Sequence, residues 1–160
     1  MPTPFRGPFR RALASLLASL AAGLLVTVSP VATGSAQALS LQRGLRVVHV
    51  AASKRGAPYK FGAEGPRKFD CSGFTQWTFR HVGKRLPRLS RSQYRATAHV
   101  RRRHRRIGDL VFFHSGKRVR SVYHVGIYAG RGMMWNAPHT GARVRKEHIW
   151  AHNAWYGRLR

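Results

Sequence analysis

Apolar residues recur at intervals of three or four in two segments of the chain, which is the spacing of one buried helix face. The first segment contains Leu41, Leu45, Val48 and Ala52. It predicts a helix over residues 41–54 with Ser40 as its N-cap. The second segment contains Phe74, Trp77, Thr78, His81 and Val82. It predicts a helix that begins near Cys71, is capped by Asp70 and ends at Gly83.

The rest of the chain shows one further helix and then the patterns of strands. A short helix is predicted over residues 90–98, and the continuous apolar run at residues 110–113 is typical of a buried strand. Residues 122–129 alternate: Tyr123, Val125, Ile127 and Ala129 face one way, and His124, Gly126 and Tyr128 the other. Further strands are predicted at residues 133–136, around Val144 and at residues 155–159. Helices followed by antiparallel strands indicate an α+β fold.

The N-terminal segment has the composition of a secretory signal peptide. Arginines at positions 6, 10 and 11 precede an apolar stretch over residues 12–28, and Ser-Ala-Gln-Ala at residues 35–38 supplies a small-residue cleavage site. An uncleaved membrane anchor is the alternative. We expect a signal peptide over residues 1–38, a single mature domain over residues 39–160, and no stable membrane insertion after cleavage.

The chain is strongly basic, with 30 Lys and Arg against 4 Asp and Glu and a net charge of +26. Such a surface binds polyanions. The run at residues 99–106 is expected to be a solvated loop or an exposed helix edge. Because export is predicted, we expect anionic cell-wall polymers as partners of the basic surface, rather than nucleic acid. We expect the mature protein to be a monomer.

Cys71 is the only cysteine in the chain, so it cannot form an internal disulfide. At a helix N-terminus, unpaired backbone N–H groups and the positive end of the dipole favour thiolate over thiol. Secreted proteins usually pair their cysteines, which makes an unpaired one a candidate reactive thiol. The alternative is an inert buried residue, since free cysteine is among the most buried residue types.

A thiol hydrolase also needs an imidazole base, a group that orients it and donors for an oxyanion. Among nine histidines, His124 is the best candidate base, because Gly126 leaves space beside its ring. Asn136, on the next predicted strand, could accept a hydrogen bond from that ring. A core histidine is the alternative for His124. The oxyanion and substrate side of the site is assigned to Tyr59, Asp70 and Ser72.

No metal site and no cofactor are expected. The sequence contains no CxxC or HExxH motif and no His-x-His spacing, and it has only 4 carboxylate side chains. Zinc sites are normally built from such spacings.

Six short blocks occur in order along the predicted mature chain. They are PYKFG at residues 58–62, FDCSG at 69–73, LPR at 86–88 with Ser90 and Gln93, GDLVFF at 108–113, HVGIY at 124–128 and NAP at 136–138. This series resembles the NlpC family of bacterial cell-wall cysteine peptidases. The resemblance implies a papain-like fold with Cys71 as nucleophile and His124 as base. Asn136 stands where the family usually has a second histidine, and its role would be orientation alone.

The resemblance further implies a secreted peptidoglycan endopeptidase that cuts an amide bond in the peptide stem, most often between D-γ-glutamyl and the diamino acid. Two other functions stay open. One is a non-catalytic, cationic wall-binding protein on the same fold, and the other is acyl transfer instead of hydrolysis.

Overall fold

The computed structural model describes residues 31–159, with side chains from residue 34. Three helices come first: α1 (Val31–Ala52), α2 (Cys71–His81) and α3 (Ser90–Arg95). Six strands follow: β1 (Ala98–Val100), β2 (Leu110–His114), β3 (Val122–Gly130), β4 (Met133–Asn136), β5 (Arg145–His148) and β6 (Trp155–Arg158). Most of the predicted signal peptide lies outside the described residues.

Helix α1 begins earlier than predicted, and Ser40 is not its N-cap. The hydroxyl of Ser40 donates to the carbonyl of Gln37 at 2.8 Å, inside the helix. No proline interrupts residues 31–52, so the helix extends back through the small residues that form the predicted cleavage site.

The predicted apolar face of α1 is wrong at Leu41 and Leu45, whereas Val48 and Ala52 pack against the core as predicted. Leu41 and Leu45 are 50% and 43% exposed, whereas Val47 and Ala51 are buried. Gly44 explains the difference, because a Cβ there would lie 2.0 Å from the carbonyl oxygen of Ile107. The close approach of two backbones at this glycine therefore decides which side of α1 faces the core.

Helix α2 has the predicted limits, and Gly83, with a φ of +77°, follows its end. Helix α3 ends before residue 98, because the chain turns into β1 there. The basic run over residues 99–106 is consequently not a simple loop. It contains the end of β1 and a turn of 3₁₀ helix, Arg102–His104, and the ring of His99 stacks on Tyr94 at 4.0 Å.

The strands form one antiparallel sheet in the order β1-β6-β2-β3-β4-β5. On the helix side, the core includes Phe69, Phe74, Phe112, Val125 and Ile127. On the other side, Val111, Phe113, Tyr128, Met134 and Tyr156 form a second cluster, against which Ile149, Ala151 and Ala154 pack. Strand β2 is therefore buried on both faces, as its continuous apolar run predicts.

The alternation predicted for β3 fails at one residue. Phe113 pairs with His124, and His114 pairs with Val122, so the register shifts and Tyr123 is left between the two pairs. Its side chain is 57% exposed, unlike those of Val125 and Ile127. A β-bulge of this kind turns a side chain away from the face that strict alternation assigns to it.

Candidate active site

Cys71 is the first residue of α2, and Asp70 caps this helix as predicted. The carboxylate of Asp70 accepts from the backbone N–H of Gly73 at 2.7 Å and from that of Gly62 at 3.0 Å. The carbonyl of Asp70 accepts the N–H of Phe74, the first bond within the helix. The N–H groups of Cys71 and Ser72 therefore come before the first intrahelical hydrogen bond, where a helix offers donors to an anion.

Gly73 is required for the loop that shelters Cys71. A Cβ at this position would lie 2.2 Å from the carbonyl oxygen of Ala63, which also accepts the N–H of Asp70 at 2.9 Å. The glycine thus admits the backbone of the preceding loop against the first turn of α2.

Arg88 holds the cap from the other side, a role that sequence reasoning missed. Its guanidinium forms a salt bridge with Asp70, donates to the hydroxyl of Ser72 at 2.9 Å and pairs with Glu64 at 3.0 Å. Burial by itself would raise the pKa of Asp70, but the hydrogen bonds from Arg88 and Gly73 outweigh it and hold that pKa below its ordinary value. Asp70 is therefore an ionised structural group, and the Ser72 hydroxyl belongs to its network.

The thiol of Cys71 lies between α2 and β3. Backbone N–H groups of Val125 and Ser72 hydrogen-bond to the sulfur and stabilise its charged form. Burial and the neighbouring charge of Asp70 act in the opposite direction and raise the pKa of Cys71 above its ordinary value. The expected depression of this pKa by the helix terminus is therefore wrong for the resting site, because desolvation is the larger effect.

His124 lies on β3, directly before Val125, and is only 5% exposed. Its Nε2 lies 3.0 Å from the Oδ1 of Asn136. Gly126 leaves the space beside this pair, because a Cβ there would lie 2.9 Å from the Met134 Sδ and 3.3 Å from the Asn136 Cβ. The structure therefore brings the predicted base and its predicted orienting residue into contact through the space that Gly126 leaves.

Burial also determines the protonation of the histidine. It lowers the pKa of His124 to about 4, although the hydrogen bond to Asn136 and the negative charge of Glu147 raise it. His139 contributes a further lowering. At neutral pH the ring is uncharged, which is the form that can accept a proton from a thiol.

A residue absent from the sequence analysis completes the network. Glu147 accepts from the Nδ2 of Asn136 at 2.8 Å through one carboxylate oxygen, and its other oxygen pairs with Arg145 at 2.9 Å. Glu147 lies on β5, diagonally across from Asn136, which pairs with Arg145. Because β5 was predicted only as a strand near Val144, its register and hence this contact were beyond sequence reasoning.

Tyr59 lies close enough to the thiol for the two groups to interact. Burial raises the pKa of Tyr59, and the nearby charges of Cys71 and Asp70 raise it further against the opposing effect of Arg88. The phenol therefore keeps its proton and can donate it in a hydrogen bond. Its backbone is fixed by a bond from its N–H to the carbonyl of Ala142 at 2.9 Å.

No group of three or more His, Cys, Asp and Glu side chains in residues 34–159 is placed to hold a metal ion. Within the same part of the chain, no helix combines the length and the apolar character needed to cross a membrane.

Comparison with known families and proteins gives the same picture. The NlpC/P60 family model matches residues 56–159. A probable endopeptidase p60 of Listeria innocua is 43% identical over 93 residues, which cover 58% of this chain and 19% of that protein. The bifunctional muramidase/DL-endopeptidase CwlT of Bacillus subtilis is 36% identical over 118 residues, 71% of this chain and 36% of that protein. The chain thus spans only a minor part of the length of these relatives.

Solved structures agree with the fold. The NlpC/p60 domain of the peptidoglycan hydrolase SagA matches with a TM-score of 0.66 at 28% identity, covering 72% of this chain and 98% of that one. The peptidoglycan hydrolase RipB of Mycobacterium tuberculosis matches with a TM-score of 0.66 at 29% identity, covering 79% and 71%. The predicted α+β, papain-like fold is confirmed.

Proposed function

The chain belongs to the NlpC/P60 family, and from this premise we propose that it is a cysteine peptidase that hydrolyses an amide bond in the peptide stem of peptidoglycan. One observation carries the proposal: the Cys71 thiol faces β3, the strand of His124, and His124 is hydrogen-bonded to Asn136 on the neighbouring strand β4. A nucleophile, a base and an orienting group are the minimum set for nucleophilic amide cleavage.

The reaction starts from a neutral thiol and a neutral imidazole, since burial raises the pKa of Cys71 and lowers that of His124. His124 takes the thiol proton as the sulfur attacks the carbonyl carbon, and the carbonyl oxygen becomes an oxyanion. The imidazolium then gives this proton to the leaving amine as the C–N bond breaks, which leaves a thioester on Cys71. Water, deprotonated by His124, hydrolyses the thioester and restores the thiol.

The oxyanion is held by donors at the start of α2. The backbone N–H groups of Cys71 and Ser72 point out of the helix end, and the protonated phenol of Tyr59 is a third donor. Such donors act on charge that develops only in the transition state. Asp70 contributes indirectly, because it caps the helix and fixes the direction of these groups.

The bond that we propose is the one between D-γ-glutamyl and the diamino acid of the stem. This assignment is supported by the resemblance of the six sequence blocks and by the name of the Bacillus subtilis relative, a DL-endopeptidase. The enzyme acts outside the cytoplasm, after removal of residues 1–38 as a signal peptide, and works as a monomer without a cofactor.

The basic surface retains the enzyme on anionic wall polymers. Seven basic side chains around the 3₁₀ turn and the β2–β3 loop are exposed: Arg101, Arg102, Arg103, Arg106, Lys117, Arg118 and Arg120. Arg105 does not belong to this set, because its guanidinium lies over the rings of Tyr128 and Tyr156 at 5.0 and 5.6 Å. The neighbouring arginines are exposed, so their guanidinium groups can contact phosphate or carboxylate groups.

Digestion of purified wall fragments tests the proposal. The protein with residues 1–38 removed should release stem fragments whose masses locate the cleaved bond, and the Cys71→Ala variant should release none. Fragments released equally by the variant would contradict catalysis by Cys71. Wild-type protein that binds wall but cuts no stem peptide would favour a non-catalytic wall-binding protein. Products that carry an added amine acceptor would indicate acyl transfer.

A further inference from the structure

We propose that Glu147 is a positioning residue of this peptidase, which fixes the direction of the Asn136 amide and thereby the tautomer of His124. The inference rests on the proposed function and adds to it a residue on β5 outside the nucleophile, base and orienting amide.

The direction of an asparagine amide is set by its partners, since its oxygen and nitrogen ends have nearly the same shape. Asn136 is fully buried, so solvent does not supply those partners. On one side it meets His124, a ring that can either donate or accept depending on its tautomer. Contact with His124 alone therefore leaves two arrangements of equal shape.

Glu147 removes this ambiguity. An ionised carboxylate only accepts hydrogen bonds, so the end of Asn136 that lies 2.8 Å from it must be the NH₂ group. The carboxylate is held in place by Arg145, which pairs with its second oxygen at 2.9 Å. The side chain of Glu147 is 24% exposed, against 45% for Arg145, so the carboxylate lies at the inner end of this ion pair.

The direction of the Asn136 amide determines which ring nitrogen of His124 carries the proton. With its NH₂ group on Glu147, Asn136 presents Oδ1 to the Nε2 of His124 at 3.0 Å, and Nε2 must carry the ring proton. Nδ1 is then left with its lone pair, ready to accept the proton of the Cys71 thiol. The opposite amide direction would place the Asn136 NH₂ group against the Nε2–H group, which are both donors, unless the ring proton moved to Nδ1. A protonated Nδ1 could not accept the thiol proton.

The charged and titratable groups around His124 come from several elements. Cys71 faces β3 from α2, His139 follows β4, and Glu147 lies on β5. The charge of Glu147 raises the pKa of His124, whereas His139 and burial lower it. Loss of the carboxylate should thus change the ring in two ways, in its tautomer and in its basicity.

A purely structural role for Glu147, as an ion-pair partner on an edge strand, predicts something different. In that case its removal would affect stability alone. The Glu147→Gln variant distinguishes the two roles, because glutamine keeps the shape of the side chain but can either donate or accept. Lys146→Gln is the matched control, since it removes one charge from the neighbouring position of β5, where side chains point to the other face.

The tautomer is measured directly from the ¹⁵N chemical shifts of His124, a readout that does not depend on any peptidase activity. We expect wild type and Lys146→Gln to show the Nε2–H form, and Glu147→Gln to show a mixture of both tautomers. Turnover of a soluble stem peptide should fall at least about ten-fold in Glu147→Gln, by analogy with the partners that orient metal-bound imidazoles. An unchanged tautomer with unchanged turnover would overturn the proposal.

A rescue variant keeps the test decisive if Glu147→Gln is poorly folded. In the double variant Asn136→Asp with Glu147→Gln, the carboxylate at position 136 accepts from His124 whichever way it turns, and the amide at position 147 can donate to it. This variant should recover the Nε2–H form, and its turnover should exceed that of Glu147→Gln. Failure to recover the tautomer in a folded double variant would contradict the proposal. If the tautomers follow these expectations but wild type cuts no stem peptide, only the proposed function fails.

Discussion

The Nε2 of His124 and the Oδ1 of Asn136 are 3.0 Å apart and both residues are buried, with 5% and 0% of their surfaces exposed. A buried polar pair of this kind is costly to disturb, because the ring nitrogen and the amide oxygen would each lose a hydrogen bond without regaining one from water. The hydrogen bond therefore restricts the imidazole ring to one orientation.

Asn136→Ala should lower turnover of a stem peptide by at least about ten-fold, because the ring loses its orienting partner while the nucleophile and base remain. Asn136→His should keep measurable activity, since a second imidazole can accept from His124 and donate to Glu147. Steady-state kinetics on a soluble stem peptide checks both variants, and alkylation of Cys71 shows that the thiol is intact. Wild-type turnover in Asn136→Ala would remove this residue from the site.

The pH dependence of Cys71 alkylation reports the resting state of the thiol. Because burial raises the pKa of Cys71 in the folded protein, iodoacetamide labelling should reach half its maximal rate above the ordinary thiol value of about 8.5. The same protein unfolded in urea serves as the control and should follow the ordinary value. A midpoint for the folded protein below that of the control would contradict this expectation and would indicate that the helix terminus activates the thiolate.

Stability should fall in weakly acidic solution because of His124. The ring titrates near 6.5 when unfolded and at about 4 when folded, so between these values the unfolded chain binds more protons. The stability present above about pH 6.5 is then lost as the pH falls towards 4, by at most about 3 kcal/mol. Urea unfolding at a series of pH values measures this loss.

The matched variant for that measurement is His124→Gln, which cannot titrate. Its unfolding free energy should change less than that of wild type between pH 6.5 and 4. Identical slopes over the whole range would show that the buried ring does not govern the acid response.

Arg88→Leu should destabilise the helix cap, because it leaves the buried carboxylate of Asp70 without its guanidinium. We expect a loss of about 3 kcal/mol in the free energy of unfolding, most of it from Asp70, since the half-exposed Glu64 contributes little. Arg91→Leu, an exposed arginine on α3, is the control and should stay within about 0.5 kcal/mol of wild type. Equal stability of the two variants would contradict this role of Arg88.

Wall binding and peptide cleavage should be lost in different variants. Neutralising the seven exposed basic residues named above should weaken pull-down by insoluble wall at about 0.1 M salt, where the Debye length is about 10 Å, and 1 M salt should abolish the difference. Cleavage of a small soluble stem peptide should stay nearly unchanged. Cys71→Ala should behave in the opposite way, binding wall normally and cutting nothing. A basic-surface variant that binds wall like wild type would show that these residues serve solubility alone.

The sequence by itself determined the features that depend on local order. The N-cap at Asp70, the end of α2 at Gly83 and the buried strand β2 follow from residue type and spacing over a few positions. Local order also identified His124 and Asn136 as partners, because a hairpin brings neighbouring strands together and Gly126 leaves room between them.

Only the tertiary structure decided the contacts made over long distances along the chain. Gly44 meets the backbone of Ile107 and so sets the buried face of α1, Arg88 reaches back to Asp70, and the register of β5 brings Glu147 to Asn136. The pKa of Cys71 belongs to the same class, because desolvation depends on everything packed around the sulfur. Periodicity indicates that a residue is buried in an element, but the register and packing of distant elements fix what it touches.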